Sequence, residues 1–279
     1  MSSMSQPITA RQLLSKVPEV TIWFWIIKVL ATTVGETFAD YLNETLGWGL
    51  SKTTYAMGAL LIIALIAQFA VRRYIPVIYW LAVVLLSIVG TLITDNLTDG
   101  HGVALTTTTT IFAIALVATF AVWWLSERTL SIHSIVTRRR EAFYWLAILF
   151  TFALGTAAGD LISERLALGY FPTLMVFVGA IAVVAVLHYV LKVNAVLTFW
   201  LAYILTRPLG ASIGDWLSQP TDETGLGLGT TVTSFIFLGV IVLVVAYLTI
   251  TRKDLEVVAL DADGQPVAHE RTPWSPEHQ

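Results

Sequence analysis

The sequence predicts an all-α integral membrane protein: eight transmembrane helices arranged as four parallel two-helix repeats, with both termini in the cytoplasm. Three observations carry that prediction. The 279 residues are 56% hydrophobic and only 13% charged, with a mean hydropathy of +0.76, a balance that would cover a water-soluble domain in apolar patches. Eight apolar stretches follow one another, roughly 20–41, 53–71, 76–97, 103–125, 141–162, 172–191, 196–217 and 229–250. At ~1.5 Å per residue each is long enough to cross a hydrocarbon core of ~30 Å. Four times, finally, a tryptophan is followed ten residues on by a glycine and fifteen residues on by an aspartate: Trp25/Gly35/Asp40, Trp80/Gly90/Asp95, Trp145/Gly155/Asp160 and Trp200/Gly210/Asp215.

The elements follow in order. Residues 1–19 lack the apolar run of a secretory signal and read as a cytoplasmic segment. The membrane domain spans 20–250, with repeats at about 20–71, 76–125, 141–191 and 196–250, each expected to be a helical hairpin with a short glycine-containing outer turn. The tryptophans start 55, 65 and 55 residues apart, the longer step coming from the polar segment around 126–140. A fixed repeat of one orientation means parallel repeats rather than an inverted pair. Residues 251–279, polar and carrying Pro266, Pro273 and Pro276, read as a flexible cytoplasmic tail.

Charge placement sets the orientation. Arg11, Lys16, Arg72, Arg73, Arg128, Arg138, Arg139, Arg140, Lys192, Arg252 and Lys253 lie in the N-terminal segment, the even-to-odd loops and just past the last span, whereas only Lys52 and Arg165 fall in the opposite loops. By the positive-inside rule both termini are cytoplasmic. The outer loops carry Glu44, Asp99, Glu164, Asp222 and Glu223, a face that would concentrate cations.

Odd helices hold most of the polar residues, and even helices are aliphatic after a threonine-bearing start. An inner ring of odd helices with even helices facing lipid is the arrangement this predicts. At about 100° per residue, the tryptophan, the glycine, the aspartate and the residues between them at every fourth position occupy an arc of about 140° on one helix face. Gly155-x-x-x-Gly159 and Gly210-x-x-x-Gly214 are small-xxx-small pairs of the kind that bring helix backbones together in lipid. The glycines therefore read as packing residues. The tryptophans read as anchors at the inner membrane interface, His188 as a side chain reaching for that interface, His101 as a surface residue, and Arg138 to Arg140 as a topology signal or anionic-lipid contact.

The aspartates carry the chemistry. Ionisable groups within a membrane are expensive and by default functional. Crowded carboxylates must share protons, bind a cation or pair with bases. Repeat one adds Lys28, Thr32 and Glu36 in steps of four ahead of Asp40, and repeat four carries Arg207 two turns before Asp215, beside Pro208, which is expected to kink its helix. Candidate substrate or ion ligands are thus Glu36, Asp40, Asp95, Asp160, Asp215, Lys28, Arg207 and Thr32, with Glu36, Asp40, Asp95, Asp160 and Asp215 as metal ligands. Carboxylate and hydroxyl oxygens suit hard cations, and the absence of cysteine disfavours soft metals.

Gly35-Glu36-Thr37-Phe38-Ala39-Asp40-Tyr41-Leu42 and the run from Thr206-Arg207-Pro208-Leu209-Gly210-Ala211 to Gly214-Asp215 resemble signature segments of a bacterial membrane family of four tandem two-helix repeats of unknown function, each with a recurring tryptophan. That resemblance covers roughly residues 20–250 and implies a multi-pass inner-membrane protein without implying an activity.

The expected function is a secondary transporter or exporter of a small cation, a divalent metal such as manganese being favoured, with proton coupling open. The alternatives are a non-transporting membrane scaffold or sensor, and a transporter of a small organic or anionic solute held by Lys28 or Arg207. No phosphate-binding loop for an ATP-driven pump and no hydrolase motif is present, so no enzyme activity and no cofactor are expected. The expected partners are the lipid bilayer and a small cation or other small solute, with no nucleic acid; a homo-oligomer is left open.

Overall fold

The computed structural model describes residues 15–165, 167–254, 259–260 and 266–267. Among them are eight helices long and apolar enough to cross a membrane: α1 (Ile22–Asp40), α2 (Leu50–Ala70), α3 (Pro76–Asp95), α4 (Leu105–Glu127), α5 (Arg138–Asp160), α6 (Tyr170–Tyr189), α7 (Ala195–Ser218) and α8 (Gly229–Thr251). In the tail expected to be flexible, β1 (Ala259–Leu260) and β2 (Pro266–Val267) form a two-residue antiparallel pair. Residues 1–14, the rest of that tail, and the side chains of Glu164, Arg165 and Glu223 lie outside the described residues.

Local sequence explains where the odd helices begin. Thr21, Thr137 and Asn194 each accept a hydrogen bond from a backbone N–H of the first turn, and Pro76 opens α3 where its missing N–H leaves no bond unmade. Their C-terminal ends divide three to one. In α1, α3 and α5 the aspartate is the last α-helical residue, and a π-helical turn follows (Tyr41–Thr45, Asn96–Gly100 and Leu161–Arg165). In α7 the helix continues past Asp215 to Ser218, and Pro220 stands just beyond. The helix also runs through Pro208 without interruption.

The odd helices form the interior. Between 56% and 78% of each odd span is buried, against 22–28% of each even span. They close a ring in the order α1–α3–α5–α7–α1. The four recurring glycines are where the ring closes. A Cβ added at Gly35 would collide with Ser87, one at Gly90 with Phe152, one at Gly155 with Arg207, and one at Gly210 with Thr32. Each glycine thus receives the residue seven beyond the tryptophan of the next repeat, and the fourth repeat hands on to the first. Cross-helix bonds from Thr94 Oγ1 to the Ala153 carbonyl and from Thr32 Oγ1 to the Thr206 carbonyl fix two of these contacts.

The packing of the repeats adds a relation that the sequence period leaves open. The repeat is a hairpin in sequence, but its two helices are not each other's main neighbours. Each even helix packs on the odd helix of the following repeat: α2 on α3, α4 on α5, α6 on α7, and α8 back on α1. Packing across repeats ties the four units into one closed body, which adjacent, self-contained hairpins would not do.

A correction concerns the tryptophans. Trp80, Trp145 and Trp200 are buried inside the protein rather than set at its lipid interface. They join Phe24, Tyr79, Tyr144, Phe199 and Tyr203 in an aromatic layer that fills the ring at the end carrying the basic loops. The indole N–H of Trp80 donates to the Tyr74 hydroxyl and that of Trp200 to the Leu130 carbonyl. Lys16, one of the basic residues on which the predicted orientation rests, is buried. Its ammonium bonds Glu141 at 2.6 Å, and Gln68 bonds the other Glu141 oxygen.

Candidate functional site

Above the aromatic layer the ring becomes polar, and the polar groups fall into levels one helical turn apart. Each level takes one residue from each odd helix at the same distance from its tryptophan. The first contains Lys28, Val83, Ile148 and Tyr203; the second Thr32, Ser87, Phe152 and Arg207; the third Glu36, Thr91, Thr156 and Ala211; the fourth the four aspartates.

Arg207 organises the middle of this column. Its side chain is fully buried, and Nη2 reaches one oxygen from each of the other three odd helices: Glu36 Oε2 at 2.7 Å, Thr156 Oγ1 at 2.5 Å, and Thr91 Oγ1. Nη1 donates to the Thr32 carbonyl at 3.3 Å. The threonine hydroxyls donate their own protons one turn back along their helices, Thr91 to the Ser87 carbonyl and Thr156 to the Phe152 carbonyl. Their lone pairs are therefore left for the guanidinium. The acceptors are three residues at the equivalent position of three repeats, and the fourth, Ala211, lies on the helix that supplies the arginine. An arginine buried at membrane depth is tolerable only with such a complement of charge and hydrogen bonds.

The carboxylates lie on the side of Arg207 away from the aromatic layer. Glu36, Asp160 and Asp215 each present an oxygen, all within 4.8 Å of one another; Glu36 and Asp215 are buried and Asp160 is half-buried. Asp40 and Asp95, also half-buried, stand outside this group of three but within electrostatic reach of Glu36 and of each other. Of the five predicted metal ligands, the structure gathers three and leaves two at the margin.

The other predicted residues have different places. Lys28 lies on the aromatic-layer side of Arg207, away from the carboxylates. Its ammonium sits 4.1 Å from the centre of the Tyr203 ring and 4.3 Å from that of Phe152, with no hydrogen-bond partner among the described residues. Ring faces replace part of its hydration by cation–π attraction. Thr32 uses its hydroxyl in the α1–α7 contact and offers Arg207 only its carbonyl, so its side chain serves packing. His188 is buried, bonded through Nδ1 to Thr198, rather than reaching for an interface, and His101 is exposed as expected.

Thr91 and Thr156 were not among the predicted site residues. The repeat alignment already placed them level with Glu36, and that alignment was the signal that could have found them. Sequence reasoning favoured charges, whereas two of the three oxygens that meet Nη2 are neutral.

No curated protein and no solved structure shows a significant match to this chain. The family described as Repeat of Unknown Function (DUF347) matches it four times, over residues 23–74, 78–129, 143–194 and 198–254. The matched units begin close to the four tryptophans and cover most of the molecule, and the chain belongs to that family of membrane repeat proteins.

Proposed function

We propose that this protein is a secondary transporter of a small cation, with a divalent metal ion as the favoured substrate. The observation that carries the reading is the meeting of Glu36, Asp160 and Asp215 within 4.8 Å, beside a buried arginine paired to one of them. Three ionised carboxylates and one guanidinium leave two negative charges, which one divalent ion would balance. Carboxylate oxygens with threonine hydroxyls nearby suit a hard or borderline ion such as Mn²⁺, Mg²⁺ or Ca²⁺.

Arg207 then acts as a tethered counter-charge. It holds Glu36 in the absence of substrate and competes with an arriving cation for the same oxygen, so binding and the α1–α7 contact are linked. Asp40 and Asp95 form the approach from the acidic face. By the positive-inside rule that face is external, the basic loops are cytoplasmic, and the aromatic layer closes the cytoplasmic side.

The test is flux into proteoliposomes across Mn²⁺, Mg²⁺, Ca²⁺, Na⁺ and H⁺, comparing the wild type with Asp40→Asn and Asp215→Asn. Flux of one ion that is lost in folded Asp215→Asn and reduced in Asp40→Asn supports the reading. A scaffold held together by the Arg207 network is the competing reading, favoured by the entirely intramolecular partners of that guanidinium. Absence of flux for every ion in folded wild-type protein would overturn the cation reading and turn the test to organic and anionic solutes first, and to the scaffold if those fail too.

A further inference from the structure

Away from the carboxylates, the basic end of the molecule holds a second built feature. Ile62, Leu65, Ile66 and Phe69 recur at helical spacing along α2 and, with Ala70, line an open groove of about 530 Å³ closed on its other side by Arg138 in the first turn of α5. Ile62 and Ile66 are both more than half exposed. On a span of this hydropathy such exposure faces hydrocarbon.

The charges at the end of the groove are unbalanced. Arg139 and Arg140 both pair with Glu127. Arg138 is exposed and, among the described residues, has no ion-pair partner; the same holds for Arg72 and Arg73, which follow α2 almost immediately. The groove thus joins an apolar stripe, about 10 Å long from Ile62 to Phe69 at the helical rise, to the free guanidinium of Arg138, and Arg72 and Arg73 follow its last α2 residue, Ala70, by two and three positions.

We propose that this groove between α2 and α5 is a binding site for an anionic phospholipid. An acyl chain lies along Ile62, Leu65, Ile66 and Phe69, and the headgroup phosphate is held by Arg138 with Arg72 and Arg73. The planar guanidinium fork matches phosphate oxygens in a way an ammonium does not. A zwitterionic lipid carries its own cation into the same cluster and is disfavoured. A second copy of the chain is disfavoured as well, because a two-fold contact would set the same unpaired arginines against each other.

Native mass spectrometry of the purified protein, equilibrated with equal amounts of phosphatidylglycerol and phosphatidylcholine of the same acyl chains, tests this without reference to transport. The wild type is expected to retain phosphatidylglycerol preferentially. Arg138→Gln should cut that preference about fivefold, and the Arg72→Gln/Arg73→Gln/Arg138→Gln variant should abolish it. Ile66→Trp, which fills the groove and leaves every charge in place, should lower retention of lipid while eluting like the wild type on size exclusion. Inorganic phosphate should not displace the lipid. Equal retention of the two lipids by the wild type, an undiminished preference in the triple variant, or unchanged retention in Ile66→Trp would each overturn the site. A dimer that is lost in Ile66→Trp would assign the groove to a second copy and overturn it too.

Discussion

Repeats one and four meet along α1 and α7 and hold every charge of the axial column between the aromatic layer and the aspartates: Lys28, Glu36 and Arg207. Repeats two and three place Val83, Ser87 and Thr91, or Ile148, Phe152 and Thr156, at the corresponding positions. The backbones do the same work in all four, each glycine receiving the next helix, yet the chemistry is concentrated on one side of the ring. Repetition supplies a closed frame with four equivalent places per level. Divergence at a few of those places turns a packing motif into an asymmetric charged column, with two neutral threonines adding oxygens to what the charged repeats begin.

The largest expected effect is at the pair that joins the charged repeats. Arg207→Gln leaves Glu36 buried without its counter-charge and should cost about 3–5 kcal/mol in denaturant unfolding from detergent micelles. Glu36→Gln combined with Arg207→Gln should recover most of that loss. Strictly additive losses would mean that the two side chains do not act as a unit.

Next come the ring contacts, which the comparison says are equivalent in charged and neutral repeats. Gly90→Ala and Gly210→Ala should each destabilise by about 1–3 kcal/mol, because the added methyl meets Phe152 or Thr32 inside contact distance. Gly159→Ala, whose methyl would meet only Pro208 and Ala211 at ordinary separations of 3.8–4.0 Å, should be neutral or stabilising by about 0.5–1 kcal/mol. A uniform response at all three positions would break the assignment of the ring contacts.

Smaller again is the contribution of the neutral repeats to Arg207. Thr91→Val and Thr156→Val each remove one oxygen from a guanidinium that keeps other partners, and each should cost about 1 kcal/mol. If either cost as much as Arg207→Gln, the neutral side would be as decisive as the charged one.

The smallest effect lies at the basic face, where Asp254 follows repeat four and accepts the Tyr74 hydroxyl at 2.6 Å. Burial pushes the Asp254 carboxyl above its ordinary range, partly offset by that hydrogen bond. Burial and the nearby carboxylate push the Tyr74 hydroxyl up as well. The folded protein therefore holds the Asp254 proton more tightly than the unfolded chain does. The stabilisation from this group is complete below about pH 4, the ordinary carboxyl value, and is lost as pH rises through the folded value. Thermal unfolding from pH 4 to 7 should show a slightly flatter decline in Asp254→Asn than in the wild type.

Much of the fold was legible because it follows from period and solvent. Apolar runs of membrane-spanning length gave the eight helices, and their uneven polarity gave the inner ring of α1, α3, α5 and α7. The spacing of Trp25, Gly35 and Asp40 and its three copies gave the levels of the axial column. The burial of Trp80, Trp145 and Trp200 was not legible, since an indole near a span end suits a lipid interface as well as an aromatic core. The choice of three acids from five was hidden for a related reason. Asp160 and Asp215 turn toward Glu36, while Asp40 and Asp95 stand at the margin, and repeat position alone assigns all four aspartates the same place.

The sequence by itself determined the membrane as solvent, the number of spans, the fourfold repeat and the face of each helix that carries polar groups, because each depends on composition and periodicity along one chain segment. Only the tertiary structure decided that α2, α4, α6 and α8 pack on the next repeat rather than their own. The same holds for the handover of Gly210 to Thr32 that closes the ring, and for Arg207 taking its oxygens from Glu36, Thr91 and Thr156. Those are relations between helices, and a helix face is known from sequence before the neighbour it meets.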